Sequence, residues 1–291
     1  VQTCALPILP CCTVTLPALA LLNTGVPVMT KPPLMALSLR FLISGLLAVV
    51  VARALGQSWR LSGPQARSVV IFGLCQNALY LGLNFIALQW VEASLASIIA
   101  SAMPLIVALL GWVLRGEKVS LIGLLGLLAG FLGVALIMGG RVEGGADPVG
   151  ILLCIAGATA LAVATLTVRS ASAGGNLLMV VGLQMLVGSM ALGLVSALSE
   201  THHVVWSLPL VVAFFYQIFV PGLTATLLWF TLVRRVGAVK AAAFHFLNPF
   251  FGVMVATLLL GEHIGTLDMI GVGIAAAGIL AVQLSRLKTV A

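Results

Sequence analysis

Long apolar runs separated by short polar clusters are the first pattern along this chain. A helix needs about 20 apolar residues to cross the hydrocarbon core of a bilayer. That length divides the chain into ten predicted spans: 11–30, 34–54, 69–89, 94–114, 120–139, 149–168, 177–197, 210–233, 238–260 and 265–284. Each is bounded by a charge, a Gly/Pro turn or both. The connections are short, as at Arg115-Gly116-Glu117-Lys118 and Gly261-Glu262-His263. The pattern predicts an all-α polytopic membrane protein.

Composition sharpens this. Of 291 residues, 62% are hydrophobic and 7% are charged, against roughly 25% charged in an average soluble domain. So few charges cannot cover a soluble surface, which excludes a cytosolic enzyme, a secreted disulfide scaffold and a disordered chain. The net charge of +7 comes without any basic cluster interleaved with aromatics, so no nucleic-acid partner is expected. Cys11, Cys12, Cys75 and Cys154 lie in apolar segments without ligand spacing and read as buried free thiols. The span 11–30 holds Pro17 and Pro27 and lacks the basic start of a signal peptide. Val1–Ile8 read VQTCALPI, which is similar to the translation of a short-read sequencing adapter; these residues are expected to be foreign to the native chain.

Charge position sets orientation. On one side of the ten-span arrangement fall Arg53, Arg60, Arg67, Arg115, Lys118, Arg169, Arg234, Arg235, Lys240, Arg286 and Lys288, with Glu117 as the acid. The other side carries Lys31 and Arg141, with Arg40 inside the second span nearer that side. Its acids are Glu92, Glu143, Asp147, Glu200, Glu262 and Asp268. The positive-inside rule places the first side, and with it both termini, in the cytoplasm; the membrane is expected to be a bacterial inner membrane.

Shifting the sequence by 145 residues aligns Val91–Ile137 on Val236–Val282 without a gap. The identities are Val91/Val236, Ala93/Ala238, Ala96/Ala241, Pro104/Pro249, Leu114/Leu259, Gly116/Gly261, Glu117/Glu262, Gly126/Gly271 and Gly133/Gly278. Each half holds five spans. An odd number makes the second half enter the membrane inverted, an arrangement typical of secondary transporters. The predicted repeats cover 9–140 and 146–291.

The series Ser94, Pro104, Gly116-Glu117, Gly126, Gly133 and its echo Ala241, Pro249, Gly261-Glu262, Gly271, Gly278 resemble the EamA-type drug/metabolite transporter superfamily. Pro33-Leu34 and Leu39-Arg40-Phe41 are similar to that family's second helix. The resemblance spans residues 21–285, and departs where Leu22-Asn23-Thr24-Gly25 stands in place of the family's usual Trp-Gly pair. It implies a ten-helix metabolite exporter, often for amino acids or related compounds.

Polar side chains in a span face the bundle interior or a water-filled cavity. Asn77, Tyr80 and Asn84 recur at i, i+3 and i+7, as do Ser94, Ser97 and Ser101. His245 and Asn248 precede Pro249; Gln184, Tyr216, Gln217 and Trp229 lie in the seventh and eighth spans. Asn77, Tyr80, Asn84, Ser101, Gln184, Tyr216, Gln217, Trp229, His245 and Asn248 are therefore candidate substrate-binding residues. For the asparagines, interhelical bonding is an equal alternative; for the serines, close packing or back-bonding is the expected role. Arg40 either grips a substrate carboxylate or has a structural part, snorkelling or bonding a helix end, the structural reading being expected. Glu117 and Glu262 read as helix-capping or gate residues, and Pro104 and Pro249 as kinks. The glycines of spans five and ten read as packing stripes within the bundle, with dimerisation as the alternative. His202-His203 read as a solvated loop.

These candidates point to export of a small polar metabolite by alternating access. A drug or nucleotide-precursor exporter of the same fold, or a channel, is the alternative. No HExxH, GxSxG or facing aspartates occur, so no enzyme, catalytic residue, metal or cofactor is expected. The expected partners are the small-molecule substrate and membrane lipid, with a monomer or weak homodimer.

Overall fold

The protein was analysed as a computed structural model that describes residues 33–116, 120–143, 145–171, 176–201, 208–228, 231 and 265–289. The helices are α1 (Pro33–Ala54), α2 (Gly63–Phe72), α3 (Gly82–Ala87), α4 (Ala93–Ser101), α5 (Met103–Arg115), α6 (Leu121–Glu143), α7 (Pro148–Ala171), α8 (Leu177–Ser199), α9 (Leu208–Gln217) and α10 (Thr266–Thr289). Two π-helical segments join them, π1 (Gly73–Leu81) and π2 (Ile218–Thr224). Six helices among the described residues are long and apolar enough to cross a membrane, and shorter apolar helices cover Phe214–Leu228 and Thr266–Val282. The expected spans 11–30 and 238–260 lie outside the described residues, as do Glu117, His202-His203, Trp229, His245, Asn248, Pro249 and Glu262.

The apolar-length ruler locates the spans but shortens some helices. The third begins at Gly63, not at 69, because Pro64 has the fixed φ that suits a first helical turn. Arg67 therefore stands exposed on α2 and not in the preceding loop. The fourth span is broken at Ala102, two residues before Pro104, which has no N–H to continue the helical ladder. Gly116 closes α5 at φ +63°, a left-handed conformation in which glycine meets no Cβ penalty.

Acidic residues and serines secure the helix starts. Both Glu200 carboxylate oxygens accept from α1, taking the Leu34 and Met35 N–H groups at 2.8 and 2.9 Å, while Ser196 Oγ donates to the same carboxylate. Asp147 Oδ1 accepts from Val149 N at the start of α7, and Ser120 Oγ from Gly123 N at the start of α6. Asp268 Oδ2 accepts from Gly265 N ahead of α10. These bonds satisfy amides that have no partner within the helix, and the carboxylates also oppose the positive helix end.

The most extensive helix contacts among the described residues are α6 with α10 and α1 with α8. Both depend on residues without bulk. A Cβ on Gly126 would stand 2.8 Å from Gly278 O, and one on Gly133 would stand 2.7 Å from Gly271 O. The 145-residue shift pairs Gly126 with Gly271 and Gly133 with Gly278, so each contact is the image of the other. The α1–α8 seam is likewise antiparallel. Gly45 meets Gly182, and Ser38 and Ser189 exchange hydroxyl-to-carbonyl bonds of 2.9 and 2.8 Å. Gly126, Gly130, Gly133, Gly271 and Gly278 of the expected packing stripes thus pack inside the bundle, whereas Gly273 is exposed and its Cβ position is open. Helix α7 fills the space between the third and fourth spans.

The outer surface is apolar. Leu42, Leu46 and Val50 on α1 are exposed, as are Leu121, Leu125, Leu128 and Leu132 on α6, at one-face helical spacing. The buried set includes Ser44, Asn77, Asn84 and Gln184. This polar-inside arrangement is that of a multi-pass membrane protein.

Replacing Gly133 with Ala is expected to cost about 1–3 kcal/mol through overpacking against α10. Gly273→Ala, where a Cβ meets nothing within 4 Å, is expected to be neutral or mildly stabilising. Thermal melts of the detergent-solubilised variants check both, and equal melting temperatures would contradict the glycine seam.

Candidate functional site

The two π segments start at Gly73 and Ile218, which the 145-residue shift superposes. A π turn spaces backbone bonds one residue wider than an α turn and is common at functional sites. In π2 the cause is visible in the sequence: Pro221 removes a donor in mid-segment. In π1, α8 approaches so closely that a Cβ on Gly73 would stand 2.5 Å from Gln184 O.

Most of the sequence-derived candidates gather along these segments, but their environments differ. Around π1 the polar groups are largely paired. Asn77 Nδ2 donates to Gln184 O at 3.0 Å and also to Gln184 Oε1. Gly188 admits this contact, since a Cβ there would stand 3.1 Å from Asn77 Nδ2. Asn84 Nδ2 donates to Tyr80 O at 2.7 Å, one turn earlier, and Gly157 of α7 lies against the same amide. Tyr80 is buried, and Tyr216 is half-buried on α9. Ser94 and Ser97 are buried on α4, Ser101 ends that helix, and Pro104 stands in the first turn of α5. Thr165 bonds back to Leu161 O at 2.8 Å.

Around π2 the situation is reversed. Asn77 has Gly222 as its repeat equivalent, so no side chain fills the matching place. Instead α1 approaches: Ser44 Oγ donates to Ile218 O at 3.4 Å, and Thr224 Oγ1 to Phe219 O at 2.8 Å. A Cβ on Gly222 would stand 3.0 Å from Ser44 Oγ, 2.9 Å from Gln217 O and 3.8 Å from Arg40 Nε. Arg40 is 4% exposed, yet its Nε and Nη1 have no hydrogen-bond partner among the described residues. Its guanidinium lies 5.0 Å from the centroid of the Phe41 ring. A cation over an aromatic face gains about 0.5–2 kcal/mol, whereas an arginine deep in a spanning helix costs about 2.5–3.5 kcal/mol or more. The ring therefore offsets only part of the burial. Of the two structural roles expected for Arg40, the bond to a helix end is not formed among the described residues; Glu200 occupies the start of α1 instead.

The remaining hydrogen-bonding capacity follows the π segments. Buried atoms without a partner among the described residues include Gln184 Nε2 and Asn84 Oδ1 beside and just after π1, and both amide atoms of Gln217 at the start of π2. Sequence reasoning identified those residues but missed Ser44, Gly222, Ser38, Ser189 and Glu200. A serine or glycine in an apolar run gives no periodic signal, although the match of Gly222 to Asn77 under the repeat could have marked π2. Cys75 and Cys154 are free thiols. No group of three metal-ligating side chains occurs among the described residues.

Comparison with known proteins agrees with this architecture. The EamA-like transporter family matches residues 14–139 and again 148–284. The chain is similar to the uncharacterized transporter YvbV of Bacillus subtilis, at 29% identity over 240 residues, covering 80% of this chain and 76% of that protein. It is also similar to a WAT1-related chloroplastic protein of Arabidopsis thaliana, at 25% identity over 263 residues, covering 86% of this chain and 63% of the plant protein. A protein of known crystal structure shares the fold with a TM-score of 0.68 at 20% identity, covering 96% of both chains.

Asn77→Ala is expected to destabilise the bundle by about 1–3 kcal/mol, because the Gln184 side-chain oxygen loses its donor. Asn77→Ala combined with Gln184→Ala is expected to cost less than the two single changes together, with a coupling of about 0.5–2 kcal/mol. A double-mutant cycle measured by denaturant unfolding in detergent tests this, and strict additivity would contradict the pairing.

Proposed function

The chain belongs to the EamA-like transporter family, and on that premise we propose that it exports a small polar metabolite, an amino acid or a related compound, across the bacterial inner membrane. The carrier consists of ten helices in two inverted repeats, 9–140 and 146–291, with both termini cytoplasmic. It works by alternating access, without catalytic chemistry or a cofactor, as a monomer or weak homodimer. The reciprocal glycine contacts between α6 and α10 support this reading, since pseudo-equivalent halves can exchange conformations about such a seam.

The observation that carries the proposal is the unspent hydrogen-bonding capacity along the two π segments. Amides and a guanidinium left unpaired inside a lipid-facing bundle are costly, and a polar solute would satisfy them. In this reading Asn84, Gln184 and Gln217 turn their free amide atoms to the solute, and Tyr80 and Tyr216 give it apolar contact. Asn77, Ser101, Trp229, His245, Asn248 and Arg40 complete the lining. Glu117 and Glu262 act at the two gates, and Pro104 and Pro249 are the points where the fourth and ninth spans bend.

Reconstitution into proteoliposomes tests the proposal. Vesicles loaded with one amino acid at a time are expected to accumulate the labelled compound by saturable counterflow for at least one of them. Combined Asn77→Ala and Asn248→Ala substitution is expected to lower that rate about tenfold or more, which is roughly 1.4 kcal/mol of lost stabilisation. Unsaturable conductance would instead favour a channel. Full activity of the double variant would remove those residues from the lining.

A further inference from the structure

We propose that Arg40 forms an oxyanion site beside π2, so that the transported solute is held there by a carboxylate group. This inference rests on the transporter reading and specifies the chemistry of its substrate.

The argument starts from the asymmetry between the two π segments. They begin at equivalent positions, yet the first is closed by Asn77 bonded to Gln184 across the α8 seam. At the second, the equivalent of Asn77 is Gly222, and Arg40 Nε lies 3.8 Å from where its Cβ would stand. The repeat thus keeps the backbone and replaces a neutral, paired amide with a cation. That cation is buried, and two of its nitrogens lack a partner among the described residues. Gln217, at the start of the same π segment, is 7% exposed and has both side-chain amide atoms unpartnered among the described residues.

The charge identifies the ligand. A guanidinium presents parallel N–H donors that match the two oxygens of a carboxylate. Arg40 is the one basic residue well inside a predicted span: it lies about 10 Å along α1 from its start, whereas the other Lys and Arg residues fall in loops or near span ends. A single buried positive charge neutralises a single negative one. A phosphate dianion would retain an uncompensated charge in the same low-dielectric site.

Thermal unfolding of the detergent-solubilised full chain tests the site. The probes are the twenty amino acids, acetate and pyruvate, each at millimolar concentration, with the carboxamide of each responding compound and with inorganic phosphate. At least one carboxylate is expected to raise the melting temperature by 2 °C or more, its carboxamide and phosphate not at all. Arg40→Gln is expected to abolish that shift, and Arg40→Lys to keep part of it. Without ligand, Arg40→Met is expected to melt at or above the wild type, since it removes an unpaired buried charge. The proposal fails if no carboxylate shifts the wild type, if the carboxamide or phosphate shifts it equally, if Arg40→Gln keeps the response, or if Arg40→Met melts several degrees lower. Counterflow separates this from the transporter reading. A carboxylate that stabilises through Arg40 but shows no counterflow leaves the site standing and overturns transport. Saturable counterflow of a solute that is indifferent to Arg40→Gln does the opposite.

Discussion

A hydrogen-bonding group buried in an apolar bundle must find a partner, and nearly every structural feature of this protein follows from that constraint. Water cannot serve groups in the hydrocarbon layer, and each one left unmet costs several kcal/mol. The helix is the first answer, because it satisfies its backbone internally. Its ends need help, which Glu200, Asp147, Asp268 and Ser120 provide. Between helices the same demand shapes the seams. Ser38 and Ser189 trade bonds across α1 and α8, and Asn77 bonds Gln184 across α8 and π1.

Close approach is the second constraint. Apolar side chains gain little by leaving lipid for one another, so packing depends on backbones coming near. Glycines at 126, 133, 271 and 278 let α6 and α10 meet so closely that a Cβ on any of them would stand 2.6–2.8 Å from a carbonyl oxygen of the other helix. Because those four residues are two repeat-related pairs, the seam relates the two halves by an approximate two-fold. The same 145-residue shift superposes the starts of π1 and π2, and so makes the difference between them informative. At the first, Asn77 bonds Gln184. At the second, Arg40 of α1 lies near Gly222 with two nitrogens unpartnered among the described residues.

Function then lies in the exceptions. A bundle that satisfied every polar group would be a stable, inert plug. The groups that remain unmet at Arg40, Asn84, Gln184 and Gln217 are those that a polar solute could complete. Stability given up at such points is a common companion of binding.

The sequence by itself determined the class, six long spans among the described residues and the internal repeat, because apolar length and in-register glycines are direct readouts of the lipid environment. It also singled out Arg40 as the one base far from a loop, since charge is costly there whatever the fold. The tertiary structure decided which polar residues are paired. Asn77 and Gln184 look alike in sequence to Gln217, yet the first two meet across a seam and the last does not. It decided too that the acid at the start of α1 is Glu200, 166 residues away from Leu34. Partnership between distant helices depends on register and rotation to within one hydrogen-bond length, and no local pattern encodes that.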